Sequence, residues 1–122
     1  MNPLITLSSI GLPIVPSEAV LLPFPSGRRW VSLHQIVRLE GQTNYTIVFF
    51  TNGTHLLVAL TLKRLLERIP ADQFVRIHRK HLVNRAFIAP TQSTSFMLDL
   101  SNGDSVAIAR RRIGSFRQQM KQ

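Results

Sequence analysis

Apolar and polar residues alternate along this chain in short runs broken by glycine, proline and asparagine, which is the pattern of strands joined by turns. The segment VSLHQIVRLEGQ (31–42) carries apolar side chains at Ile36, Val37 and Leu39. NYTIVFFTNGTHLLVALT (44–61) is a pair of β-rich runs around Asn52-Gly53, and FMLDLSNGDSVAIA (96–109) repeats the arrangement around Asn102-Gly103. Both residues of an Asn-Gly pair tolerate positive φ, so each segment predicts a hairpin. With Asn52 and Gly53 as the loop, Phe49 would face Leu56 and Ile47 would face Val58, while Val48 would face Leu57 across the other side of the ribbon. Both faces of that hairpin would then be apolar, and both would have to be covered. Stacked sheets, or a sheet with helices behind it, would cover them. Phe49, Phe50 and Phe96, which lie in such runs, are expected in the core.

Helical spacing is confined to two places. TLKRLLERI (61–69) has Thr61 placed to cap it, Leu62, Leu65, Leu66 and Ile69 on one face, and Pro70 to end it. RRRIGSFRQQMKQ (110–122) puts Ile113, Phe116 and Met120 on one side, although Gly114 weakens it by about 1 kcal/mol relative to alanine. The expected fold class is mainly β, with one short mid-chain helix and a C-terminal helix. Residues 1–22 read as an apolar lead-in or edge segment, and 23–122 as one domain. Prolines at 3, 13 and 16 and the lack of a basic stretch argue against a signal peptide or membrane span in the lead-in.

The length of 122 residues, 44% hydrophobic with mean hydropathy +0.09, suits one globular domain. Cysteine is absent, which excludes disulfides, thiolate zinc sites and cysteine nucleophiles. The formal charge is +9, from 15 Lys+Arg against 6 Asp+Glu. Residues 74–122 hold nine cations (Arg76, Arg79, Lys80, Arg85, Arg110, Arg111, Arg112, Arg117 and Lys121) and two anions (Asp99 and Asp104), so 9 − 2 = +7 of the total lies there. Arginine, the residue suited to forked contacts with phosphate and guanine, predominates. This distribution points to a polyanionic partner more than to a merely solvated basic face.

Other chemistry is poorly supplied. His78 and His81 are three apart, but no carboxylate follows them before Asp99, so neither a metal site nor a cofactor is expected; a hydrogen-bonded structural imidazole is the simpler role for His78. The carboxylates are scattered, with no acid–base pair, nucleophile elbow or phosphate-cradling loop, so the chain is not expected to be an enzyme. The candidate nucleic-acid contacts fall in three places: Asn44-Tyr45 with nearby Arg38, Arg79-Lys80-His81, and Arg110-Arg111-Arg112. Each lies in a turn or at a strand end. Three adjacent arginines repel one another, and in a first helical turn they oppose the macrodipole by about 0.3–1 kcal/mol per charge. RNA modules on β surfaces display several stacking aromatics. Here Tyr45 alone reads as an exposed aromatic tip, which favours duplex DNA.

In order and spacing these segments resemble the LytTR domain, the mostly-β DNA-binding module of bacterial transcription regulators. The resemblance runs from about Pro23 to Gln119 through I-V-R-L-E-G-Q-T-N-Y (36–45), T-L-K-R-L-L-E-R-I-P (61–70), F-V-R-I-H-R-K-H-L-V-N (74–84), N-G-D (102–104) and A-R-R-R (109–112). It implies an elongated stack of small antiparallel sheets. Loop side chains would read successive major grooves of direct-repeat promoter sites and bend the duplex. By position it makes Asn44, Tyr45, Arg79, Arg110 and Arg111 the base-contacting residues. Arg76, Lys80, His81, Arg85 and Arg112 become phosphate contacts or frame residues, and Phe74, His78 and Asn84 support the binding turn. Ala109 stands where the family commonly has serine, which removes one hydroxyl contact. The implied setting is the bacterial cytoplasm, with double-stranded DNA as partner, a sensor or receiver protein supplied in trans, and a homodimer on DNA. The alternative is a basic module that binds RNA or another polyanion without sequence specificity.

Overall fold

The computed structural model describes residues 18–70, 72–92 and 96–120, together with the backbone pairing of Thr6–Leu7 (β1) with Pro13–Ile14 (β2). Strands β3 (Ala19–Phe24) and β4 (Gly27–Ser32) form a hairpin. Strands β5 (Ile36–Gly41), β6 (Thr46–Phe50), β7 (His55–Val58), β8 (Phe74–His78) and β9 (His81–Asn84) form an antiparallel sheet in the order β7-β6-β5-β9-β8. A further hairpin pairs β10 (Met97–Asp99) with β11 (Ser105–Ala107). Helix α1 (Leu62–Leu66) starts at Thr61, whose hydroxyl accepts from the Arg64 amide at 3.2 Å. Helix α2 (Ile113–Met120) follows a 3₁₀ turn at Arg110–Arg112.

The central sheet lies between two cores. On one side Val20, Leu22, Val31 and Leu33 from the first hairpin and Leu62, Leu65 and Ile69 around α1 meet Leu39, Val48, Val58, Phe74 and Leu82. On the other, Leu98, Leu100, Val106 and Ile108 around the last hairpin and Phe116 from α2 meet Val37, Val75, Ile77 and Val83. Successive residues of a strand face opposite sides, so Phe74 enters one core and Val75 the other, as do Leu82 and Val83. The expected mainly-β architecture of small antiparallel sheets is the one observed.

Its sequence derivation used the wrong hairpin. Asn-Gly is not a two-residue loop at either site: Phe50 N bonds Thr54 O at 2.9 Å and Leu100 N bonds Asp104 O at 2.8 Å, which leaves three-residue loops. Gly53 and Gly103 take positive φ (87° and 97°), while the side chains of Asn52 and Asn102 accept from the amides of Thr54 and Asp104 at 3.0 Å each. The extra loop residue shifts the register by one, so that Val48 pairs with Leu56 and Ile47 with Leu57. The β6–β7 ribbon therefore has a single buried face, and Leu57 is 59% exposed on the other. Strands β8 and β9, and β5 through Val37 and Leu39, carry apolar residues on both faces. Phe96 (59% exposed), just before β10, and Met120 (38%), the last residue of α2, also lie outside the core. The boundary drawn after residue 22 falls inside β3, where Val20 and Leu22 are buried.

One buried amide joins the layers. Asn84 is fully buried; its Nδ2 donates to the carbonyls of Leu33 (3.0 Å) and Ile36 (2.9 Å), and its Oδ1 accepts from the Ala86 amide (3.0 Å). It thus fixes the link between β4 and β5 to the end of β9. Asn84→Ala leaves these groups without partners, and a buried unsatisfied polar group costs about 1–3 kcal/mol. Urea unfolding of Asn84→Ala should show a loss of about 2–4 kcal/mol; an unchanged midpoint would remove Asn84 from this role.

Candidate nucleic-acid interface

His78 pairs with His81 across the end of the β8–β9 ladder, so Arg79 and Lys80 form a two-residue loop. Its backbone is held from several directions. Ile77 O accepts from the Ala109 amide at 2.8 Å and Lys80 O from the Gly41 amide at 2.7 Å. Arg76 Nε donates to His78 O at 3.0 Å, and the same guanidinium donates to Arg79 O. The Lys80 amide donates to His78 Nδ1 at 3.1 Å. Four consecutive carbonyls, 77 to 80, are therefore bound by groups outside the turn itself.

Two of those groups lead directly to the other candidate sites. Gly41 ends β5 and opens the loop in which Gln42 N bonds Tyr45 O at 2.8 Å, presenting Asn44 and Tyr45 to solvent. A Cβ on Gly41 would sit 3.2 Å from the Leu62 Cβ, so the bare backbone is what lets α1 pack against this corner. Ala109 precedes the 3₁₀ turn of Arg110–Arg112, which has neither a side-chain cap nor an acidic residue in its first turn. Residues separated by more than sixty positions in sequence thus meet around one turn.

The candidate cations named from sequence divide into two groups. Arg79, Lys80, Arg110 and Arg111 are exposed, and their side chains have no hydrogen bond or ion pair among the described residues. Others are engaged within the frame. Arg38, grouped by sequence with Asn44 and Tyr45, lies 3.8 Å over the Phe49 ring and bonds Asp104 at 3.0 Å and Glu40 at 3.3 Å. Its bond holds the Asp104 carboxyl below the usual carboxylate range and ties the loop of the last hairpin to the central sheet. Arg85 donates to Asp72 O at 3.3 Å and Gln119 O at 2.6 Å, which binds the end of α2 to the turn before β8. Arg76 holds the β8–β9 turn. Arg112 is half-buried beside Arg76 and His78, and its Nε has no protein partner among the described residues.

The histidines are neutral members of this frame. His81 Nδ1 lies 3.8 Å from Glu40 Oε1, but burial lowers its pKa by more than that carboxylate raises it, and His78, Arg38 and Lys80 add to the lowering. A mostly buried neutral ring does not suit the phosphate contact assigned to it from sequence. Phe74 is buried at the far end of β8, and Asn84 lies at the end of β9 away from the turn. Phe74 and Asn84 therefore support the layers and not the turn. Sequence reasoning overlooked Gly41 as the anchor of Lys80 O and the Arg38–Asp104–Glu40 group. The N-G-D motif held a signal for the latter, an acidic residue next to a hairpin glycine.

The family model for the LytTr DNA-binding domain matches residues 27–121. The chain belongs to that family. Among solved structures it is similar to the LytTr DNA-binding domain of a protein described as a methyl-accepting/DNA response regulator from Bacillus cereus, with 23% identity and a TM-score of 0.71, covering 86% of this chain and 98% of the other. No curated protein matches it. In this LytTr domain Arg79, Lys80, Arg110 and Arg111 are exposed around the end of the sheet where β5, β8 and β9 meet.

His78 gives the domain a pH dependence of definite sign. Burial lowers its pKa first, followed by the charges of Arg79, Lys80, Arg112 and Arg76. The neutral ring is also the form whose Nδ1 can accept from Lys80 N. On acidification the unfolded chain takes up this proton before the folded one does. The contribution to stability is therefore complete above about pH 6.5 and lost as pH falls through the folded value. An NMR titration should place the His78 midpoint below that of a free histidine, and unfolding midpoints should drop over the same interval. A midpoint at or above 6.5 would contradict the assignment.

Proposed function

We propose that this LytTr domain binds double-stranded DNA sequence-specifically as the output domain of a bacterial transcription regulator. The observation that carries the proposal is the convergence of Asn44-Tyr45, Arg79-Lys80 and Arg110-Arg111 on one end of a frame in which Arg38, Arg76 and Arg85 are engaged internally. An exposed guanidinium without an internal partner can fork onto guanine O6 and N7, and an asparagine can do the same for adenine. Asn44, Tyr45, Arg79, Arg110 and Arg111 take the base-reading roles, and Lys80 and Arg112 the phosphate roles. By the family resemblance these projections would enter successive major grooves of a duplex bent toward the protein. Direct-repeat sites would then hold two copies of the domain. The likeness to a domain of a response regulator supports a receiver, or a sensor acting in trans, as the source of the signal, and the cytoplasm as its place of action.

Selection from a random-duplex pool at near-physiological salt tests the proposal. An enriched motif, repeated at a fixed spacing, is expected; retention without a motif that vanishes with rising salt would reduce the surface to a generic polyanion binder, RNA included. On the selected site, Arg79→Ala should cost about 1–3 kcal/mol and relax discrimination at one base pair. Lys80→Ala should weaken all duplexes alike and lower the slope of log K against log salt by about one. Uniform loss in both variants would remove the base-reading role from Arg79.

A further inference from the structure

We infer that Arg76 is a positioning residue for base recognition, acting through the backbone of the β8–β9 turn and not through contact with DNA. The inference rests on the DNA-reading function proposed above. The Arg76 side chain donates from Nε to His78 O at 3.0 Å and from its terminal nitrogen to Arg79 O. One planar guanidinium therefore holds two consecutive carbonyls, including that of the residue whose side chain projects toward the groove. A single misplaced carbonyl here would swing the Arg79 Cα, and a forked contact with guanine tolerates little displacement.

Two further features separate Arg76 from a phosphate contact. It is half-buried, so its guanidinium is less open to a phosphate than the exposed Arg79 and Lys80 side chains. Its donors are also directed into the turn. The remaining carbonyls of the turn are bound by the backbone amides of Ala109 and Gly41, which no side-chain substitution removes. Arg76 is thus the side chain that holds the carbonyls on either side of Arg79, while the His78 ring accepts from the Lys80 amide. Lysine cannot replace Arg76, because one ammonium on a flexible stem does not present the planar fork.

The test uses the duplex selected from the random pool, its single-base-pair variants, and a salt series. Arg76→Met should lose about tenfold or more in discrimination at the base pair that Arg79→Ala relaxes, with the slope of log K against log salt unchanged. Adding Arg79→Ala to Arg76→Met should bring little further loss at that base pair, because both act on the same contact. Arg76→Lys should behave like Arg76→Met, and it keeps the charge and stem should the methionine variant fold poorly. A slope lowered by about one with discrimination intact would make Arg76 a phosphate contact and overturn the inference. Additive losses in the double variant, or full rescue by lysine, would overturn it too. Failure of the unaltered domain to select any motif would sink the function on which the inference rests, and that result precedes any Arg76 variant.

Discussion

The arrangement of this domain depends on how the carbonyls of residues 77–80 are bound. A turn exposes its backbone polar groups, and in most surface turns water satisfies them. Here the Ala109 amide, the Arg76 guanidinium and the Gly41 amide take all four, so the turn joins β5, β8 and the segment leading into α2. Two of these partners, Gly41 and Ala109, lead to the other exposed polar clusters. Relative placement of the three clusters is thus fixed by short backbone hydrogen bonds, and not by the flexible side chains themselves. This is the preorganisation that a reader of base edges needs, since mobile arginines would lose affinity to ordering.

That junction is possible because the central sheet is covered on both sides at β8 and β9. Phe74 and Leu82 pack toward the first hairpin and α1, and Val75, Ile77 and Val83 toward the last hairpin and α2. The layers bring residue 109 beside residue 77, a contact that no local pattern in the sequence announces. Stacked sheets were legible as a class, because an apolar ribbon with two buried faces admits few other solutions. Which ribbon has two buried faces was not legible from an Asn-Gly count. A three-residue loop and a two-residue loop share that dipeptide, and the one-residue difference exchanges the faces. Both asparagines accept from the amide two residues on, which draws the third residue into the loop.

The candidate site shows the same division. Its residue types and chain positions were visible as basic turns, and the family resemblance gave them an order. Their availability was not visible, because it is set by tertiary partners. Arg38, Arg76 and Arg85 match Arg79 and Arg110 in type, yet the first three are engaged by Asp104 and Glu40, by turn carbonyls, and by the carbonyls of Asp72 and Gln119. Of the pair His78 and His81, one braces the turn and the other faces Glu40, which leaves neither ring as an outward cation.

The exposed cations that remain are placed at an energetic disadvantage to the free domain. Arg110, Arg111 and Arg112 are adjacent, open a helix with no acidic residue in its first turn, and lie close to the Arg79-Lys80 loop through the Ile77–Ala109 bond. The nearby carboxylates could have relieved this repulsion, but Glu40 and Asp104 are turned inward onto Arg38. Acidic residues that neutralise an internal arginine cannot also screen the surface. The result is a turn whose carbonyls are satisfied from within and a tip whose arginines are not neutralised. A tip whose nearby carboxylates, Glu40 and Asp104, are taken by Arg38 while Arg79, Arg110 and Arg111 stay exposed has its electrostatic complement in a polyanion. Because the frame fixes the tip before binding, the repulsion among those arginines is already present in the unbound protein, and an approaching row of phosphates relieves it with little rearrangement of the turn.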